Sequence, residues 1–136
     1  AGEAMPKQIV RQAPYLRRFA RAVTGSQASG DGLVQAMMEG LLEGVVRLPQ
    51  DLALRTALYR ALIVVWRERA GAADGGELKL DQKLQNLDPE RRATLLLVAM
   101  EGFDPSEAAQ VLGVTDAEVG DRLVQAQSEL EAELAV

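Results

Sequence analysis

"DPSEAAQVLGVTDAEVGDRLVQAQSEL", residues 104–130, starts a helix, stops it and starts another. Asp104 offers a side-chain acceptor to the free amides of a first turn. Pro105 fits the first helical position, where no amide hydrogen is needed, and Glu107 stands where it can reach back to the cap. Gly113 ends that short helix, because glycine alone turns left-handed at no steric cost. Thr115 and Glu118 repeat the capping pair. Beyond them Val119, Leu123, Ala126, Leu130 and Leu134 recur at three- and four-residue spacing, which predicts a buried stripe. Asp116, Gly120, Asp121, Gln125 and Ser128 are left facing outward. A short helix, a tight turn and a long helix make a helix-turn-helix.

The layout is that of a DNA reader, but the chemistry is not. Phosphate affinity comes largely from Lys and Arg, and bases are read by Arg, Lys, Asn and Gln at the start of the second helix. Here Asp116, Glu118 and Asp121 occupy those positions, as degenerate DNA-reading residues, beside the single Arg122. Acids in a first turn also complement the helix dipole, which accounts for Asp116 and Glu118 but less well for Asp121. Residues 1–114 hold 14 basic and 14 acidic side chains, whereas residues 115–136 hold one Arg and six acids. The last segment therefore carries the whole net charge of -5.

Upstream, Asp88 and Pro89 form another cap, and "TLLLVAME" runs as a helix to Gly102. Residues 88–136 thus form one small helical module. Residues 71–87, "GAADGGELKLDQKLQNL", change composition abruptly and read as a flexible linker, with a short helix around Leu80 to Leu84. Residues 6–70 form a second module of three amphipathic helices. The first follows Pro14 with Leu16, Phe19, Ala20 and Val23 on one face. The second carries Leu33, Met37, Met38, Leu41, Leu42 and Val45 up to Pro49. The third repeats Leu54, Leu58, Leu62, Val65 and Trp66 from about Asp51 to about Ala70. Gly40 and Gly44 weaken the second helix by roughly 1 kcal/mol each, which suggests close approach of another backbone there. Residues 1–5 lack any signal and read as a cloning remnant or a frayed end. The expectation is an all-α chain of two small modules.

Several function classes are unfavourable. The chain has no His and no Cys, which removes the commonest general base, the thiol nucleophile and most transition-metal ligation. No catalytic, cofactor or metal site is expected, and the protein reads as a non-enzyme. Glu129 and Glu133 read as solvated acids, and "TGSQASGDG" lacks the Gly-Lys-Ser/Thr ending of a phosphate loop, so it reads as a helix–helix turn. The apolar runs "ALIVVW" (61–66) and "ATLLLVAM" (93–100) fall far short of the ~20 residues that span a bilayer. A soluble cytoplasmic protein is the simplest reading.

"LDPERRATLLLVAMEGFDPSEAAQVLGV" resembles the fourth conserved region of extracytoplasmic-function sigma factors. "APYLRRFARAVTGSQASGDGLVQAMMEGLL" with "RTALYRALIVVW" is similar to the sigma-like half of PhyR response regulators of the alphaproteobacterial general stress response. Together these stretches cover roughly Pro14 to Leu134. The resemblance implies a sigma mimic that binds an anti-sigma factor of the NepR type instead of promoter DNA, freeing the true sigma factor. It also implies a receiver domain after the sigma-like half. The chain stops at Val136, so an output domain without its receiver is expected, and none of Asp31, Asp51 or Asp121 is expected to accept phosphate. Candidate anti-sigma contacts are Met37, Met38, Leu41 and Val45, Leu80 and Leu84 of the linker, Val111 and Leu112, and Val119 and Leu123. Core and interface stripes share helical spacing, so the alternatives stay open at each of them. The competing readings are a DNA-binding extracytoplasmic-function-type sigma factor or transcription regulator, and a helical scaffold.

Overall fold

A computed structural model describes residues 5–69 and 87–134. The described residues form six helices: α1 (Met5–Thr24), α2 (Gln27–Glu43), α3 (Leu54–Glu68), α4 (Pro89–Ala99), α5 (Pro105–Leu112) and α6 (Asp116–Leu134). Of the linker at 71–87, all but Leu87 lies outside the described residues, Leu80 and Leu84 included, as do residues 1–4, 70, 135 and 136.

The three caps of the second module form as their residues dictate. Asp88 accepts from the Arg91 amide, and Asp104 and Glu107 complete a reciprocal capping box with bonds of 2.7 and 3.1 Å. Thr115 Oγ1 accepts from the Glu118 amide at 3.1 Å, but the Glu118 carboxylate turns toward Arg122 instead of back to the cap. Gly102 and Gly113 both take positive φ, +77° and +68°, where the chain reverses between helices. On α6, Val119 and Ala126 are fully buried and Leu123 packs partly buried against the core, while the side chain of Leu134 lies outside the described part.

The first module departs from expectation at two points. Helix α1 does not begin at Pro14 but at Met5, about two and a half turns earlier, with Pro14 inside it. An internal proline loses a backbone hydrogen bond and crowds the preceding turn. The early turns persist nonetheless, and Ile9 packs against the core from within them. The stretch "TGSQASGDG" is a turn only at Gly25, φ +78°; Ser26 then caps α2, accepting from the Ser29 amide at 3.1 Å, and Gly30 and Gly32 sit within the helix.

Close backbone approach belongs to Gly30, not to Gly40 or Gly44. A Cβ on Gly30 would lie 2.5 Å from both Cα and N of Arg21, so α1 and α2 cross with main chains in contact. The Arg21–Asp31 pair, at 2.7 and 2.9 Å, spans the same crossing. Gly40 instead faces the Val46 side chain, and Gly44 ends α2 in the left-handed conformation.

The two modules share a single apolar core. Leu16, Phe19, Leu58, Tyr59 and Leu62 from one join Ala93, Leu97, Phe103, Ala108 and Leu112 from the other in a continuous buried cluster. Helix α1 packs on α4, and α3 packs on α5 as well as on α1 and α2.

Gly30→Ala is expected to cost about 1–3 kcal/mol or more, since main chain cannot yield as a side chain can. Gly32→Ala, with open space around its Cβ, is expected to be neutral or to stabilise by up to about 1 kcal/mol. Urea unfolding of the two variants tests the contrast.

Candidate partner-binding site

Among the described residues, Arg18, Arg55, Arg60, Arg67 and Arg92 cross between the modules. From α3, Arg60 donates to the Gln110 carbonyl at 2.8 Å and Arg67 to the Leu112 carbonyl at 2.9 Å. These are carbonyls of the last turn of α5, left without helical partners and at the negative end of its dipole. Arg67 also reaches Glu90 of α4 at 2.8 and 3.1 Å. In the other direction Arg92 of α4 is buried and donates to the Val23 carbonyl at 2.8 and 3.1 Å and to the Leu87 carbonyl at 3.3 Å. Burial lowers its pKa, with Asp88 opposing the shift.

The remaining two arginines meet at Glu101, between the end of α4 and the left-handed Gly102. The Glu101 side chain is fully buried. It accepts from the Tyr59 hydroxyl at 2.6 Å and from Arg18 at 3.1 and 3.3 Å. Arg55 donates to the Glu101 carbonyl and lies over the Phe103 ring at 3.9 Å. Tyr59 is held between Phe19 and Phe103, with ring centroids at 5.6 and 5.0 Å. Burial first, and then the Glu101 carboxylate, push the Tyr59 phenol far above the usual tyrosine value, while that carboxylate raises Arg18.

The outer face of the helix-turn-helix is acidic in fact as well as in sequence. Asp116, Glu118, Asp121, Gln125 and Ser128 are all exposed, and Gly120 is half-buried. The single basic residue of α6 does not join them: Arg122 is 20% exposed and turns inward to Glu90 Oε1 at 3.3 Å and Thr94 Oγ1 at 3.4 Å. Glu129 pairs with Arg91 of α4. No described side chain of α6 offers a free cation to a phosphate backbone.

The candidate contact residues divide sharply. Met37, Val111, Leu112 and Val119 are at most 1% exposed, covered by the chain's own helices, so in this conformation they are core and offer a partner no surface. Met38, Leu41 and Leu123 are partly buried against the core, and Val45 is 78% exposed. Leu42, assigned by its spacing to the buried stripe, is 89% exposed. It lies one residue, about 100°, around the helix from Leu41. Glu101, Tyr59 and the crossing arginines escaped the sequence reading altogether. The available signal was the run Arg55, Arg60 and Arg67, three arginines on a helix rich in apolar residues.

Residues 9–63 match the family described as the Sigma2 domain of PhyR, and residues 84–133 match the sigma-like domain of the response regulator PhyR. PhyR in the NMR structure of the PhyRSL–NepR complex from Sphingomonas sp. Fr1 is 32% identical, with a TM-score of 0.78 over 96% of this chain and 88% of that one. The chain belongs to the PhyR family, as a sigma-like domain. The phyllosphere-induced regulator PhyR of Methylorubrum extorquens is 34% identical over 131 residues, which are 93% of this chain and 49% of the relative. PhyR of Bartonella quintana, an anti-anti-sigma factor crystallised with the anti-sigma factor NepR, is 32% identical with a TM-score of 0.81 over 96% of this chain and 50% of that one. The chain thus spans about half the length of full-length PhyR relatives. A likeness over 96% of the chain takes in both modules together.

A neutral phenol held inside the fold makes alkali destabilising. The unfolded chain releases the Tyr59 proton near the ordinary tyrosine value of about 10, whereas the folded chain retains it to higher pH. The stabilisation is therefore complete below about pH 10 and declines as pH rises beyond it. In a Tyr15→Phe background, phenolate absorbance from Tyr59 is expected to rise together with loss of helical circular dichroism; phenolate appearing while helicity is intact would contradict the burial.

Proposed function

We propose that this chain is a non-enzymatic sigma-factor mimic, which binds an anti-sigma factor of the NepR type in the cytoplasm and thereby releases the true sigma factor for transcription. One observation carries the reading. The sigma-like frame is kept, with both modules packed together, while the face that would meet DNA presents Asp116, Glu118 and Asp121 and turns Arg122 inward. Such a surface repels phosphate but does not hinder a protein partner. The PhyR relatives solved with NepR support the choice of partner. No described helix is long and apolar enough to cross a membrane, in keeping with a partner met in solution.

The contacts we assign to this function are those that keep accessible surface: Val45, with Met38, Leu41 and Leu123 at the margin of the core. Leu42 joins them on exposure alone. The likeness to PhyR response regulators makes a receiver domain a second candidate partner for this surface.

A labelled NepR-type anti-sigma factor titrated with the chain is expected to bind saturably, whereas promoter and random duplex DNA at physiological salt are not. Asp116→Lys, Glu118→Lys and Asp121→Lys combined are expected to raise DNA affinity by about tenfold or more, with a steeper salt dependence. Micromolar, salt-sensitive DNA binding by the unmodified chain, with no binding of the anti-sigma factor, would refute the proposal.

A further inference from the structure

We infer that Glu101 is a positioning residue for anti-sigma binding: its buried carboxylate fixes how the two modules sit against each other, and through that the surface they jointly present. The inference rests on the sigma-mimic reading for its functional consequence, and on geometry for the rest.

The apolar core holds the modules together but does not set their angle, because hydrophobic contact is non-directional. Hydrogen bonds to a buried charge are directional, and misplacing one leaves a charge without partners in a region closed to water. At Glu101 the donors come from two helices of the first module, Arg18 on α1 and Tyr59 on α3. The acceptor belongs to the second. Arg55, also on α3, grips the same residue by its main-chain carbonyl while stacking on Phe103 two residues along. Side chain and backbone of one residue are thus fixed from two directions. That residue stands where α4 hands over to the helix-turn-helix, immediately before Gly102 at φ +77°. A shift of the second module relative to the first by even a few ångströms would separate the carboxylate from Tyr59 and Arg18 together.

Buried Arg92 adds a second directional link, from α4 to the Val23 carbonyl of α1; the remaining crossing contacts constrain the modules less. Arg60 and Arg67 donate to carbonyls at a helix end, where a slide can exchange one acceptor for the next, and the Arg67–Glu90 pair is about one-third exposed on either side. Among the described residues, only at Glu101 does a fully buried carboxylate meet donors from two helices.

The chain has no cysteine, so spin labels at Gln35→Cys on α2 and Gln125→Cys on α6, both exposed, report the separation of the modules. In Glu101→Gln, helical content is expected to persist while the label distances broaden or shift. Affinity for a NepR-type anti-sigma factor is expected to fall tenfold or more, measured at a temperature where the variant is folded. Arg18→Gln removes a cation whose side chain is 51% exposed; it gives the same readout with less risk to the core, should Glu101→Gln fail to fold. A lowered melting temperature with unchanged label distances and unchanged affinity of the folded protein would overturn the inference, because it would make Glu101 a stabilising residue only. If the unsubstituted chain did not bind the anti-sigma factor, the sigma-mimic reading would fall, and the label distances would still decide whether Glu101 positions the modules.

Discussion

Helix α3 is buried over most of its circumference and leaves only a strip at Val64, Arg67 and Glu68 to solvent. Nine of its fifteen residues are buried, and they point in nearly every direction around its axis. Apolar residues spread so widely around a helix are stable only when it is covered on more than one side. The first module covers α3 with α1 and α2, and the second covers it with α5 and with Glu101 and Phe103 from the turn before α5. The arginines of α3 complete the arrangement, since Arg55, Arg60 and Arg67 each find acceptors on the second module. Two modules that would each be marginal by size alone are thereby joined around a single core.

That joining explains which features were legible in the sequence. The boundaries of α4, α5 and α6 could be read because Asp-Pro, Asp-Pro-x-Glu and Thr-x-x-Glu are local signals whose partners lie within a turn. The start of α1 was not legible, because Pro14 gives a strong local cue and its override comes from the tertiary packing of Ile9. Gly30 was hidden for the same reason: its need for space comes from Arg21 on the neighbouring helix, whereas Gly40 and Gly44 lay in the apolar stretch that drew attention.

The site was half legible. Outward-facing positions on α6 follow from its apolar period, so Asp116, Asp121, Gln125 and Ser128 were placed correctly, and so was the acidity of that face. Partner contacts do not follow from period, because a stripe that packs on the chain's own helices has the same spacing as one that packs on a partner. Met37 and Val119 proved to be core and Leu42 exposed. The inward turn of Arg122 was equally unreadable, since its acceptors, Glu90 and Thr94, are some thirty residues away in sequence. It completes the electrostatic argument, because a helix with six acids and one neutralised arginine has little means of holding DNA.

If both modules stabilise α3 together, they must unfold together. Differential scanning calorimetry tests this most directly. A shared core predicts one transition, with a calorimetric enthalpy equal to the van't Hoff enthalpy. Two resolved transitions, or a calorimetric enthalpy well above the van't Hoff value, would show that the modules fold separately and would contradict the account.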